Sequence, residues 1–449
     1  MSRTPKPPVA ATAAAPSAAV AAPPKPRRGA ASGMPEPASG PWAAPALDQP
    51  CALLGGLSPA TFMRRHWHRK PLLIRQALPP QAWAGLDREA LLALAARPGL
   101  SARLVERQPA APAARGRRAA AQGEGWSLRQ GPFSRRQLPP ATQPGWTLLV
   151  QGLDRHLDAA RALLDPFAFL PAARLDDLMV SWASEGGGVG PHVDSYDVFL
   201  LQIGGARRWR IAPPGDEQLR PGLPLRILEH FSPTEDWLLE PGDMLYLPPG
   251  WGHDGVAEGG PCLTASIGFR APAQAELADA LLNRMLDTVD PDDPAEAERY
   301  RDPGQPATAQ PGRIPEALQA HALALVRERL AAPGAVCLAL GEWLSEPAPD
   351  AEFAPGDEDD EAALDAQMAQ ALRLGLRLAR GSRMLYDADC IYLNGQGWRA
   401  AGRDALLMQA LADRRGLEAA ALRRISAAAR ALLRQWLLDG WIEPLWPAA

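Results

Sequence analysis

The sequence predicts an α+β protein in which a small antiparallel barrel or jelly roll is flanked by helices and followed by a separate winged-helix-like unit. Three observations predict it. Between Arg174 and Arg270 the apolar period shortens toward two, and Gly, Pro and Asp interrupt it at regular intervals. From Pro272 the period lengthens to that of amphipathic helices. Beyond an acidic stretch, a hairpin pattern and several short helices share fewer than a hundred residues.

Taken in order, residues 1–50 read as a disordered Ala/Pro-rich tail. Positions 1–35 hold eight prolines, five basic residues and no acid. That proline density opposes an amphipathic targeting helix, and no unbroken apolar run suits a secretory signal. Ser58–Trp67 and Asp87–Ala96 show helical patterns, with strand-like Pro71–Arg75 between them. A low-complexity insert at 109–123 reads as a surface loop, after which strand-like text resumes at Trp126. Leu178–Trp182, Val198–Ile203, Trp209–Ile211, Met244–Leu247 and Leu263–Phe269 are the expected barrel strands, so that 51–272 forms one domain. Ala275–Leu286 and Glu316–Leu330 are expected helices of a second region, 273–348, joined by a Pro/Asp-rich connection from Asp287 to Pro315. Residues 350–361 carry seven acids around Pro355-Gly356, and 349–361 reads as a solvated linker. The last unit, 362–449, should contain a helix from Ala362 to Arg380, strands Met384–Tyr386 and Cys390–Asn394, a turn at Gly395–Gly397, and helices over 404–414, 418–424 and 427–438. Its charges are mixed rather than clustered, which favours a structural or protein-docking role over sequence-specific nucleic-acid binding.

Composition narrows the function. The 449 residues carry 47 Lys+Arg against 51 Asp+Glu, a formal net charge of −4, so no global nucleic-acid or membrane signature is present. No stretch approaches the ~18 consecutive apolar residues of a membrane helix. Cys51, Cys262, Cys337 and Cys390 are far apart and lack CxxC spacing, which argues for a reducing compartment, the cytoplasm by default.

The chemistry concentrates in two segments. Gly186-Gly187-Gly188-Val189-Gly190-Pro191-His192-Val193-Asp194 sets an imidazole and a carboxylate two residues apart, on one face of an expected extended strand. A second imidazole, His253, follows 61 residues after His192, behind Pro248-Pro249-Gly250-Trp251-Gly252. Two imidazoles and one carboxylate suit Fe(II) and leave three coordination positions open for a bidentate co-substrate and for oxygen. The glycines are expected to let the backbone pass close to a ligand. A co-substrate such as 2-oxoglutarate would bring a second carboxylate that needs a cation. Arg207 shares a face with Trp209 by strand alternation, whereas Arg208 and Arg210 point outward; Arg207 is therefore the expected clamp. His66-Trp67-His68 has metal-like spacing but sits among Arg64, Arg65, Arg69 and Lys70, and is expected at the surface. Trp251 is expected to line the entrance.

The run LDDLMVSWASEGGGVGPHVDSYDVFLLQIGGARRWRI, with LEPGDMLYLPPGWGHDGVAEG and ASIGFRAP downstream, resembles the JmjC-type ribosomal oxygenases of bacteria, arginine hydroxylases acting on large-subunit ribosomal protein sixteen. The resemblance spans roughly 51–449 and is densest over 174–272. It implies a double-stranded β-helix (jelly-roll, cupin) core, a helical dimerisation region, hence a homodimer, and a C-terminal winged-helix domain. It also implies Fe(II) held by His192, Asp194 and His253, 2-oxoglutarate and O2 as co-substrates, Arg207 on 2-oxoglutarate, and Ser181 as a second co-substrate contact. An arginine substrate needs an acid near the iron: Asp176, Asp177 and Asp197 are available, and the resemblance favours Asp176. Two alternatives stay open: the same chemistry on a histidine of another ribosomal protein, and a non-catalytic metal-binding cupin serving as a docking module.

Overall fold

The computed structural model describes residues 44–108, 125–286 and 298–446. Most of the expected tail, the insert at 109–123 and residues 287–297 of the connection lie outside the described residues.

Helix α1 (Pro59–Arg65) starts where Ser58 accepts a hydrogen bond from the Thr61 amide and Pro59 takes the first helical position. Strand β1 (Leu72–Ile74) and helix α2 (Arg88–Ala95), capped by Asp87, follow. Next come β2 (Ala102–Gln108), β3 (Gly125–Gln130), β4 (Trp146–Val150) and the short α3 (Asp158–Ala162). The central strands are β5 (Leu175–Ala183), β6 (Asp197–Ala212), β7 (Glu235–Leu239), β8 (Met244–Leu247) and β9 (Gly252–Phe269). Among the described residues these strands form one antiparallel sheet in the order β1-β8-β6-β9-β5-β4-β2-β3, with β7 also on β6.

Alternation divides the two faces of this sheet. Leu178, Val180 and Trp182 of β5 and Ala265, Ile267 and Phe269 of β9 join the main core, packing with Phe62, Phe167, Phe199 and Tyr246. On the opposite face, Ser181 and Thr264 are directly paired across the ladder. A second cluster, Val198, Leu200, Trp209, Ile211, Leu239, Leu245 and Leu247, fills part of that inner side. Even residues of β6 (198, 200) and odd ones (209, 211) thus share one face. The cause is a pair of register shifts between Gln202, Gly204 and Ala206. Gly205 adopts φ +60, and a Cβ there would lie 2.2 Å from the Pro261 carbonyl oxygen. What reads in sequence as two strands separated by a glycine break is one bulged strand whose parity switches. Similarly, Leu263–Phe269 is only the end of β9, which bends at Gly259-Gly260 with φ +77 and +129.

The helical region holds α4 (Gln274–Leu286), α5 (Glu316–Ala331) and α6 (Ala335–Ser345). Sequence reading did not anticipate α6 or β7. Helix α7 (Glu361–Leu374) ends earlier than expected because Gly375, at φ +105, turns the chain into strand β10 (Leu376–Leu378). Then follow β11 (Met384–Tyr386), β12 (Cys390–Leu393), β13 (Gln396–Arg399), α8 (Gly402–Arg414), β14 (Gly416–Leu417), α9 (Ala419–Leu422), α10 (Ala427–Leu438) and β15 (Ile442–Pro444). β11, β12 and β13 form one small sheet, and β14, β10 and β15 another. Leu364, Met368, Leu411, Leu433 and Trp436 build their shared core. Helix α6 lies on the β11–β13 sheet, where a Cβ at Gly341 would fall 2.2 Å from the Tyr392 ring. The acidic stretch is not free in solvent throughout: Asp350 pairs with Arg155 at 2.9 Å and Glu352 with Arg97 at 2.5 Å.

Candidate metal and co-substrate site

His192 and His253 are brought together by their own backbones. The His192 amide donates to the His253 carbonyl at 3.0 Å and the His253 amide returns a bond at 2.9 Å. This is an isolated bridge, not the regular strand expected around His192; His192 and Asp194 leave it on a turn, where the Asp194 carbonyl accepts from the Gly250 amide. The ring centroids lie 4.2 Å apart. Each ring places Nδ1 on a carbonyl two residues earlier, His192 on Gly190 at 2.9 Å and His253 on Trp251 at 3.0 Å. Those bonds put a proton on each Nδ1, so both Nε2 atoms are turned toward the Asp194 carboxylate. Nε2 of His192 is 3.9 Å from Asp194 Oδ1, and Nε2 of His253 is 3.5 Å from Oδ2. The donor atoms of the three residues all lie within 4.8 Å of one another, and no other metal-competent group of three or more such residues occurs among the described residues.

Electrostatics fit a cation. Burial, followed by the neighbouring His253, lowers His192 to about 4, keeping it neutral and able to donate its lone pair. Burial alone would raise Asp194, but the His253 hydrogen bond and the two imidazoles hold it down at about 2, helped by the Tyr196 hydroxyl. His253 is raised: the Asp194 bond outweighs the effect of burial. Two imidazoles and a hard carboxylate, with no fourth His, Cys, Asp or Glu in the group among the described residues, match the set that ferrous iron takes in oxygenases.

The glycine run serves the backbone more than a ligand. A Cβ at Gly187 would lie 2.4 Å from the Trp146 carbonyl oxygen, and one at Gly188 2.6 Å from that of Gly255. The loop is therefore pressed between β4 and β9, and delivers His192 to its bridge.

Arg207 points inward and is 4% exposed. Its Nη1 donates to Ser181 Oγ at 3.1 Å and Thr264 Oγ1 at 3.2 Å, and its Nη2 to the Gly255 carbonyl at 3.2 Å. Nε is buried with no partner. No carboxylate lies within ion-pair range among the described residues, and burial lowers the guanidinium's pKa. The guanidinium also lies 5.1 Å from the Trp209 ring, itself 5.9 Å from that of His253. A buried cation with a vacant donor and no counter-ion among the described residues, bonded to the carbonyl of Gly255 two residues beyond His253 on β9, fits a carboxylate-bearing co-substrate. Arg208 and Arg210 point outward and pair with Glu258 and Asp236, and with Asp254.

Ser181, which the resemblance offers as a second co-substrate contact, lies beside Arg207 and accepts from its guanidinium. Thr264, Gln202, which accepts from Thr264 at 2.9 Å, and Tyr196 join the site without any sequence signal. Asp176 is half-exposed, with Arg270 at 3.8 Å. Asp177 is pushed up to about 7 by burial, then by Asp176 and Asp154. Asp197 is committed elsewhere: it accepts from Tyr246 Oη at 2.6 Å and pairs with His68 and Arg174. His66 is buried rather than at the surface, stacked on Phe62 with Nδ1 bonded to the Pro71 carbonyl. Trp251 is half-buried against the inner cluster.

A JmjC domain pattern matches residues 162–277, and a ROXA-like winged helix pattern matches 325–443; the antiparallel core is accordingly the double-stranded β-helix of JmjC proteins. The ribosomal protein uL16 3-hydroxylase of Escherichia coli is 31% identical over 359 residues, covering 77% of this chain and 86% of that protein. A probable ribosomal oxygenase of Haemophilus influenzae is 33% identical over 228 residues, 50% of this chain and 52% of that protein. The X-ray structure of E. coli YcfD superposes with a TM-score of 0.71 at 28% identity, covering 86% of this chain and 98% of that one. A structure of the same ribosomal oxygenase in complex with cobalt and 2-oxoglutarate gives 0.68 at 29% identity, over 86% and 98%. With likeness of that extent along both chains, the protein belongs to the JmjC-type bacterial ribosomal oxygenases that carry a ROXA-like winged helix.

Proposed function

We propose that this protein is an Fe(II)- and 2-oxoglutarate-dependent oxygenase that hydroxylates the β-carbon of an arginine in ribosomal protein uL16, the large-subunit protein sixteen. The observation that carries it is Arg207: a buried guanidinium without a counter-ion, beside two imidazoles and a carboxylate that converge on one point. Iron and 2-oxoglutarate, when bound, supply the chemistry that places one oxygen atom of O2 on a carbon and releases succinate and carbon dioxide. The protein's own share is positioning. His192, Asp194 and His253 hold the metal from one side. Arg207, set by Ser181 and Thr264, neutralises the far carboxylate of the co-substrate. Tyr196 restrains Asp194. The acids at the start of β5, Asp176 and its neighbour Asp177, receive the substrate guanidinium, whose entry into a partly dry pocket would otherwise cost several kcal/mol.

The same reading includes a homodimer, a cytoplasmic location and no sequence-specific nucleic-acid contact. Supporting the dimer, α5 has no buried residue and leaves Leu318, Leu323, Leu325, Val326 and Leu330 exposed; a soluble chain covers such a helix. No helix of the described residues is long and apolar enough to cross a membrane. The division into a catalytic domain over 51–272, a helical dimerisation region over 273–348, a linker over 349–361 and a winged-helix unit over 362–449 belongs to this proposal as well.

The test is incubation of the full chain with Fe(II), 2-oxoglutarate, O2 and uL16, followed by mass spectrometry. The expected result is a gain of one oxygen on an arginine, matched by succinate. A gain on a histidine of another ribosomal protein instead would reassign the substrate, and no succinate with any ribosomal protein would leave only a docking module.

A further inference from the structure

The β5–β9 ladder is irregular at the point where the two candidate substrate acids sit. Leu175 pairs with Phe269 and Leu178 with Ile267, so Asp176 and Asp177 together oppose Gly268 alone. A bulge of this kind re-aims side chains and leaves backbone groups without ladder partners. Here those groups are met from outside the sheet. The Leu178 amide donates to Asp154 Oδ1 at 2.9 Å, while the Asp177 side chain is itself anchored, its Oδ2 accepting from the Gly152 amide at 2.9 Å. The carbonyls of Leu175 and Asp176 accept from Arg383 Nη2 at 3.3 and 2.7 Å.

Arg383 comes from the C-terminal unit, more than two hundred residues along the chain. It stands immediately before β11, and its amide is held by Asn394 Oδ1 at 2.9 Å. Arg383 is half-buried, and desolvation of its guanidinium lowers its pKa; no carboxylate lies within 4.0 Å among the described residues. A desolvated guanidinium that spends its donors on two neighbouring carbonyls fixes the peptide plane between them. The bulge also adjoins the metal group. The position a Cβ would take at Gly268 is 3.7 Å from both Asp176 Cβ and a Tyr196 ring carbon, and the Tyr196 hydroxyl helps keep the Asp194 carboxylate ionised.

We propose that Arg383 is a positioning residue for the hydroxylation, through which the winged-helix unit holds the β5 bulge and so aims Asp176 and Asp177 at the substrate arginine. The inference rests on the proposed reading of those two acids as guanidinium receptors. It gives the C-terminal unit a share in substrate selection without direct contact with the reacting atoms.

The test compares full-chain variants in steady-state hydroxylation of a uL16 peptide and in peptide-free turnover of 2-oxoglutarate. Arg383→Ala should raise the peptide KM about tenfold or more, with peptide-free turnover and kcat within about twofold of the parent. Arg383→Lys, able to reach one carbonyl, should recover part of the loss, and decides the matter if Arg383→Ala fails to fold. Arg380→Ala removes a different contact between the units, the 2.9 Å pair with Asp158, and should leave KM unchanged. Asp176→Asn and Asp177→Asn separate the two ideas. If either raises the peptide KM while both Arg383 variants leave it unchanged, positioning by Arg383 is refuted and the acids keep their role. If neither does, the acid reading falls and takes this inference with it. An equal rise in Arg380→Ala would reduce Arg383 to one docking contact among several, which also refutes it.

Discussion

At the scale of single residues, Arg207 is a buried cation with one donor left unpartnered. Its remaining hydrogen bonds go to two hydroxyls and a carbonyl, none of them charged. Leaving one partner of a buried ion pair alone costs about 3 kcal/mol, roughly a hundredfold in binding. Arg207→Ala should therefore raise the KM for 2-oxoglutarate by that factor, read as succinate formation, while metal uptake measured separately is unchanged. Asp177 gives a pH dependence. Its folded pKa, about 7, lies above the ordinary carboxyl value of 3.8. The folded protein therefore retains a proton that the unfolded chain has lost between those values, and this residue's contribution to stability declines as pH rises through that window. A substrate guanidinium selects the ionised carboxylate. The peptide KM should fall as pH rises through about 7, and Asp177→Asn should flatten the profile. The three residues of the metal group were legible in sequence because their types and spacing are distinctive, and Arg207 because Trp209 fixed its face. Tyr196 and Thr264 were not: their partners are created by a turn and by a ladder, and neither leaves a local pattern.

At the scale of elements, the bulge in β6 decides which arginine enters the site. Gln202 and Arg207 both face inward although five residues separate them, and only the double register shift at Gly204-Gly205 permits it. Gly205→Ala should destabilise the protein by about 1–3 kcal/mol in urea unfolding, because its left-handed φ and the Pro261 carbonyl both reject a side chain. The same change should weaken 2-oxoglutarate binding by disturbing the strand's parity. Sequence reading treated that glycine pair as a strand boundary, since a glycine pair interrupting a period-two pattern has the same signature whether the chain turns or bulges. Helix α6 escaped for a related reason. It follows Pro333-Gly334 and carries Gly341 in its interior, which lowers local propensity, whereas the close approach to Tyr392 that requires the glycine is a tertiary fact.

At the scale of the whole molecule, the order of a β-rich core, helices and a hairpin-bearing C-terminal unit was readable because hydrophobic periodicity changes where the architecture does. The contacts across units were not readable: Arg155 with Asp350, Arg97 with Glu352 and Arg383 with the β5 carbonyls each join residues too far apart for any local signal. Helix α5 supplies a test of assembly. On the proposed dimer, Leu323→Glu combined with Val326→Glu alters only side chains exposed within one chain, so light scattering should show the mass halved while far-ultraviolet circular dichroism keeps the subunit's secondary structure unchanged. The reciprocal amide bonds between His192 and His253 have a further outcome. Because main-chain atoms rather than the ion tether these two arms, chelation should empty the centre without slackening its scaffold: far-ultraviolet circular dichroism should hold steady, and ferrous iron should restore turnover at once, with no lag for refolding. Such an enzyme tolerates intervals of iron scarcity as an idle but intact receptacle.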